Sequence, residues 1–405
     1  MTSLNRRSFL KSTAASLAMV PASCTLEDFS EDDPLGVRAD FPVTKTHTYL
    51  DTASVGPLSK VARDAGVAYL DENMTSPFVG GRDDTRDLAR QRFAELFGAK
   101  EEEIAILYST SDGENLVAGG LDLQAGENVV IDALHFTTAF VLYRQLEREK
   151  GIELRIVPER EGRARLEDFA SAIDGKTRLV SVAWVSNQNG YRQNLRALAD
   201  LAHSSGALLH ADAIQAIGYF PVNLREEGVD FLSANSYKWL FSSFGAAPFF
   251  VREEHLERLR PDRYGHGSSA ENLLNYNFRL RDTAKKYEYA TSAYGTIYQL
   301  NASLGYLQKV GLDRIEQHTL SLARELREGV VKLGFDTWTP EGNPSPIVSF
   351  AHGRDTAEMV RLLDQEGVVV SLRDKDGTVI IRVAVALFNN RTEIQRLLKI
   401  LEQVA

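Results

Sequence analysis

Five short stretches of this 405-residue chain carry side chains that could do chemistry together. Ser109-Thr110-Ser111-Asp112-Gly113-Glu114-Asn115 puts hydroxyls at a helix start, where free backbone N–H groups favour an anion. His135-Phe136 offers a flat ring, and Ser186-Asn187-Gln188-Asn189-Gly190 offers amides. Asp212, with Gln215 just after it, adds a carboxylate, and Ser236-Tyr237-Lys238-Trp239 sets a lysine between two aromatic residues. Singly, each has a plain structural reading: an N-cap, a core or surface histidine, a capping aspartate, a solvated lysine.

Their positions make them one set. Apolar runs at 104–108, 129–132, 154–157, 179–184, 207–211, 231–233 and 246–251 are continuous rather than alternating, which predicts strands covered on both faces. Helical patterns lie between several of them, as at 140–149 and 195–202, so the expected class is α/β, with a mostly parallel seven-stranded sheet. Ligands of such sheets bind beyond the carboxyl ends of the strands, where all five stretches fall. The resulting pocket holds an anion cradle, a carboxylate, a lysine, a flat ring and amides. Pyridoxal 5'-phosphate needs this set: an imine-forming lysine for its aldehyde, a carboxylate to keep its pyridine nitrogen protonated, and a site for its phosphate. No G-x-x-x-x-G-K-[ST], dinucleotide glycine fingerprint or H-E-x-x-H competes with it.

The sequence resembles the class V aminotransferase family of fold-type I pyridoxal phosphate enzymes. The resemblance runs from Tyr49-Leu50-Asp51-Thr52-Ala53 to the C-terminal helix, and is sharpest at His210-Ala211-Asp212-Ala213-Ile214-Gln215 and Ser236-Tyr237-Lys238-Trp239-Leu240. It implies that Lys238 holds the cofactor as an imine and then shuttles the substrate α-proton, and that Asp212 pairs with the pyridinium nitrogen. Gln215 and Asn187 would bond the phenolate oxygen, and His135 would stack on the ring. Thr110, Ser111 and Tyr237 would bind the phosphate, and Thr291 the phosphate of a neighbouring subunit, which implies a homodimer. Arg382 would take the substrate carboxylate, since a guanidinium offers paired hydrogen bonds.

The domain reading assigns 45–290 to a cofactor-binding large domain, with its N-terminal segment contributing to the small one, and 291–405 to a small C-terminal α+β domain. The small domain is expected to contain a long helix over 312–333, strands at 346–351, 368–372 and 379–383, a helix over 355–366, and a last helix opened by Thr392. Residues 1–24 read as a twin-arginine signal peptide, with Arg6-Arg7 before a modest apolar stretch, and 25–44 as an acidic tether. Periplasmic export follows as an expectation, with cleavage near Ala22 or lipid attachment at Cys24 as the only membrane link. A net charge of -10 disfavours nucleic-acid binding, and a single cysteine excludes an intramolecular disulfide or cysteine-built zinc site.

The expected function is an exported pyridoxal phosphate enzyme acting on an amino acid or small peptide amine, by transamination, elimination (C–S lyase) or epimerisation. The loop before Arg382 reads Ser371-Leu372-Arg373-Asp374-Lys375-Asp376, with no cysteine after Cys24, from which a persulfide-type cysteine desulfurase is expected to be excluded. A silent binding or regulatory protein on the same fold is the alternative, and the presence of both Lys238 and Asp212 weighs against it.

Overall fold

Each apolar run singled out above forms a strand of one seven-stranded sheet in the computed structural model, which describes residues 30–76, 81–270, 277–351, 356–375 and 377–404. After a short strand β1 (Thr48–Tyr49) these are β2 (Ile104–Leu107), β3 (Asn128–Asp132), β4 (Glu153–Val157), β5 (Thr177–Ala183), β6 (Leu208–Asp212), β7 (Phe231–Ser233) and β8 (Ala247–Val251). Their order is β2-β8-β7-β6-β5-β3-β4, parallel except for β8, which runs antiparallel to both neighbours. No helix intervenes between β7 and β8, so the chain turns straight back instead of crossing over.

Alternate residues of these strands feed two separate cores, as the continuous apolar runs require. Ile104, Val130, Val180, Leu209 and Leu232 belong to one, and Ala105, Val129, Leu179, Leu208 and Phe231 to the other. Helix α1 (Lys60–Thr75) packs on the segment 294–310, with the Tyr69 ring 5.0 Å from that of Tyr298. The first core is closed by helix α2 (Arg82–Phe97), and the second by α3 (Thr110–Gly120) and α4 (Thr137–Lys150). Gly113 lets α3 lie directly on the sheet, because a Cβ there would meet Ser233 Oγ at 2.3 Å. Helix α5 (Leu195–Ser204) covers the first face with Leu195, Leu198 and Ala202.

The boundary between domains falls later than residue 291. Helix α6 (Tyr294–Val310) buries Ile297, Leu300, Leu304 and Leu307 in the large-domain core, and α7 (Leu312–Lys332) changes allegiance along its length. Its Ile315 packs in the large domain, whereas Leu322, Leu326 and Val330 enter the core of the small one. That small domain is a four-stranded antiparallel sheet of β9 (Asp336–Thr337), β10 (Ile347–Ala351), β12 (Ser371–Lys375) and β13 (Thr378–Ala384), ordered β9-β10-β13-β12. Helices α8 (Thr356–Gln365) and α9 (Arg391–Glu402) pack on it, and β1 joins it by pairing parallel with β11 (Val368–Val369).

Two local expectations are corrected. Residues 30–44 are not a free tether: Val37 and Phe41 are buried, Arg38 donates to Phe388 O at 2.6 Å, and it pairs with Glu393 at 3.1 Å. A few apolar side chains at the right spacing were enough to dock an acidic segment. The last helix is capped by Asn390 rather than opened by Thr392. Asn390 accepts from Glu393 N at 3.0 Å while the Glu393 carboxylate accepts from Asn390 N at 3.2 Å, a reciprocal pair that Thr392 cannot form.

Candidate active site

A cavity of about 220 Å³ opens at the carboxyl ends of β2, β5, β6 and β7. Thr110, Ser111, Asn187, Asp212, Gln215, Tyr237 and Lys238 all line it, so seven of the residues named from sequence converge. Each is delivered by a strand end or the turn after it, which is why short apolar runs followed by polar residues marked them.

At one end, Ser109 caps α3 by accepting from Asp112 N at 3.0 Å, turning the first-turn amides of Thr110 and Ser111 toward the cavity. Thr110 Oγ1 accepts from Asn235 N at 2.9 Å, which leaves its own proton to give. At the other end, Asp212 is buried at the tip of β6, with Oδ1 accepting from Ile214 N at 3.0 Å. Burial pushes its carboxyl up, opposed first by His135. Asn187 Oδ1 is buried without a hydrogen-bond partner, an amide whose nitrogen and oxygen could serve a ligand in either orientation. Gln215 is more committed: its Nε2 donates to Ala53 O and its Oε1 accepts from Trp239 Nε1, both at 2.8 Å. One amide proton remains for a ligand.

Lys238 lies between these ends, 6% exposed. Burial lowers its amine to about 8, opposed by Asp212 and assisted by Arg382 and Arg373. A neutral, nucleophilic amine is therefore within reach near neutral pH. Tyr237 stacks on Phe244 with ring centroids 4.1 Å apart, forming an aromatic wall beside the lysine.

Three predicted residues stand elsewhere. His135 is buried outside the lining, with Nε2 at 3.3 Å from Ser181 Oγ and 3.4 Å from Glu114 Oε1, while its neighbour Phe136 lines the cavity. Arg382 is also buried outside the lining: NH1 donates to Asn187 O at 2.7 Å, and NH2 donates to Asp51 Oδ1 at 3.0 Å and to Ser54 Oγ. Thr291 faces an adjoining groove of about 620 Å³ that shares Tyr108, Ser109, Ser111 and Gly245 with the cavity.

Sequence reasoning missed the segment 51–56 as part of the site. Gly56 N donates to Tyr237 O at 2.9 Å, and a Cβ at Gly56 would lie 2.0 Å from Lys238 O, so only glycine permits this approach. Ser54 Oγ sits between Arg382 and Arg373, whose NH2 is 3.4 Å away. The signal was present as Asp51-Thr52-Ala53-Ser54 but carried no strand-end pattern of its own.

The family model for aminotransferase class V matches residues 69–397. The chain is 30% identical over 396 residues to a probable cysteine desulfurase of Methanothermobacter thermautotrophicus, covering 91% of this chain and 97% of the relative. Its fold matches the apo structure of a cysteine desulfurase from Thermococcus onnurineus with TM-score 0.84 at 24% identity, covering 93% of this chain and 99% of the other. It also matches a C-DES mutant with glycine covalently linked to its PLP cofactor, with TM-score 0.85 at 21% identity, covering 91% and 99%. The fold is thus α/β of fold type I. These relatives overturn the exclusion of cysteine desulfurases drawn from the cysteine count.

Proposed function

The chain belongs to the class V aminotransferase family, and on that premise we propose that it is a pyridoxal phosphate enzyme that removes sulfur from an L-cysteine-class amino acid. The observation that carries this reading is Lys238, buried and lowered to about 8, in one cavity with Asp212 and the open first turn of α3.

The residues fit the cofactor. The Thr110 and Ser111 amides and hydroxyls would hold its phosphate, Asp212 its ring nitrogen, Asn187 and Gln215 its phenolate oxygen, and Phe136 one ring face. When bound, it supplies an electron-withdrawing ring that makes bonds at a substrate's α-carbon labile. Lys238 would hold the cofactor through its aldehyde, and its amine is placed to carry the substrate's α-proton. The Arg382–Ser54–Arg373 corner receives the substrate carboxylate, with Asp51 and Asn187 O fixing the Arg382 guanidinium until then. Sulfur passes from the substrate's β-carbon to an acceptor thiol: the C–S bond breaks, an S–S bond forms, and the thiol's proton ends on the β-carbon, giving alanine. The chain itself offers only Cys24 as such a thiol. The partner subunit's phosphate contact through Thr291, and export through the leader at 1–24, which lies outside the described residues, remain parts of this reading.

Incubation of the cofactor-loaded protein with L-cysteine and dithiothreitol should release alanine and sulfide. Pyruvate and ammonia in place of alanine would overturn the desulfurase assignment, and no product at all would overturn the substrate class.

A further inference from the structure

Left-handed backbone is rare outside glycine, and among the described residues it is adopted by Asp122, Glu161 and Phe241. Asp122 and Glu161 are exposed turn residues, whereas Phe241, at a φ of 51°, is buried three residues after Lys238. Its N–H donates to Lys238 O at 3.1 Å, closing a turn that begins at the lysine, and the next amide, Ser242 N, donates to Ser236 O at 3.1 Å. Hydrogen bonds on both flanks of Lys238 therefore depend on the conformation at 241. Such a conformation persists only where its surroundings over-determine it. Here the Phe241 carbonyl accepts from Ser303 Oγ of α6 at 3.3 Å, and its ring meets that of Phe41 edge-on, with centroids 5.1 Å apart.

Phe41 comes from the docked segment 30–44 and is wholly buried. The same segment is fastened on both domains. Asp40 accepts from Tyr306 OH of α6 at 2.9 Å, while Asp32 O accepts from Asn390 Nδ2 at 2.9 Å and Arg38 pairs with Glu393, both at the start of α9. The Phe41 ring also lies 4.8 Å from that of Phe388, between β13 and α9.

We propose that Phe41 is a positioning residue for Lys238, a wedge that holds Phe241 left-handed and so sets how the lysine enters the cavity. The inference rests on the reading of Lys238 as the cofactor-bearing amine and adds the segment that aligns it. Phe41 acts from behind, since it is absent from the cavity lining. With the wedge removed, Phe241 relaxes toward the right-handed or extended backbone its side chain prefers, and its bond to Lys238 O opens. The segment also spans the two groups that must meet one substrate: it braces the lysine turn of the large domain and is tied to the small domain, whose β13 carries Arg382.

The test compares Phe41→Leu with Phe169→Leu, the same substitution at a buried phenylalanine of the same core. In ligand-free protein, hydrogen exchange of the Phe241 and Ser242 amides should quicken in Phe41→Leu by roughly 3- to 10-fold, the worth of one buried aromatic pair, and stay at the wild-type rate in Phe169→Leu. Capture of pyridoxal phosphate by Lys238, followed by borohydride trapping and mass spectrometry, should slow by a similar factor in Phe41→Leu alone. Equal effects of the two variants, or none in Phe41→Leu, would overturn the proposal. Adding Phe241→Gly to Phe41→Leu supplies a residue that takes the left-handed conformation freely, so capture should recover although the melting temperature falls further. A capture rate that falls with the melting temperature would make Phe41 a packing residue only. Absence of an adduct on Lys238 in wild type would sink the cofactor reading instead, leaving the wedge to the exchange measurement.

Discussion

Two buried aspartates at the ends of the same sheet have opposite surroundings. Asp230, just before β7, accepts from Leu209 N at 2.7 Å and meets Nε2 of both His203 and His255 at 2.8 Å. Burial pushes its carboxyl up, but the two histidines and the amide prevail and hold it at about 2. Asp212, at the tip of β6, has one backbone donor, and burial keeps its carboxyl raised. Asp230 is saturated by its own chain and ties α5, β6 and β7 together. Asp212 keeps hydrogen-bonding capacity facing a cavity, as a group must if its partner is a ligand. Partner count, not burial, separates the structural carboxylate from the functional one.

The comparison breaks first at the lysine that shares Asp212's cavity. Lys238→Ala should lower turnover by at least about 10⁴-fold, since nucleophile and proton carrier vanish together, while thermal unfolding stays close to wild type. A comparable loss of melting temperature would make Lys238 structural.

Asp230→Asn should do the reverse, costing about 3 kcal/mol of stability in denaturant titrations while the folded fraction retains cofactor affinity. The pH profile carries the same distinction. Asp230 is depressed in the fold, so its contribution is present above the unfolded carboxylate value of about 3.9 and is lost as pH falls through about 2. His203 is raised by its bond to Asp230, so its contribution is full below the unfolded value of about 6.5 and fades as pH rises through the raised value. Wild-type stability should therefore slope downward on the alkaline side, and unfolding curves of Asp230→Asn should lose that slope; an unchanged slope would remove the network's role.

Asp212→Asn should cost on the order of 10²-fold in kcat and leave stability unchanged or improved, because a desolvated charge is removed. Stability falling as far as in Asp230→Asn would erase the contrast. Smallest is Asn390→Ala, worth about 1 kcal/mol of stability through the lost cap, with no effect on turnover.

Much of this is legible in the sequence. Strand positions followed from apolar continuity, and the residues after β2, β5, β6 and β7 followed from where parallel sheets bind ligands. What escaped notice depended on packing between distant segments. Nothing local shows that the His135 imidazole meets Glu114 and Ser181, which come from α3 and β5, while Phe136 beside it lines the cavity. Ser54 and Gly56 enter the site only because the 51–56 segment lies against the backbone of Lys238. The docked segment 30–44 looked like a tether because its acidic residues outnumber the few apolar ones that anchor it. The cysteine count misled for another reason: it bears on where sulfur goes, not on whether the C–S bond is broken.

The central claim is that this cavity holds pyridoxal phosphate on Lys238. Protein loaded with the cofactor, reduced with borohydride, digested and analysed by mass spectrometry tests it directly. The account predicts a pyridoxyl adduct on the peptide containing Ser236-Tyr237-Lys238-Trp239, with loading that speeds up as pH rises toward about 8, where the buried amine loses its proton. An adduct on another lysine, or none at all, would contradict it.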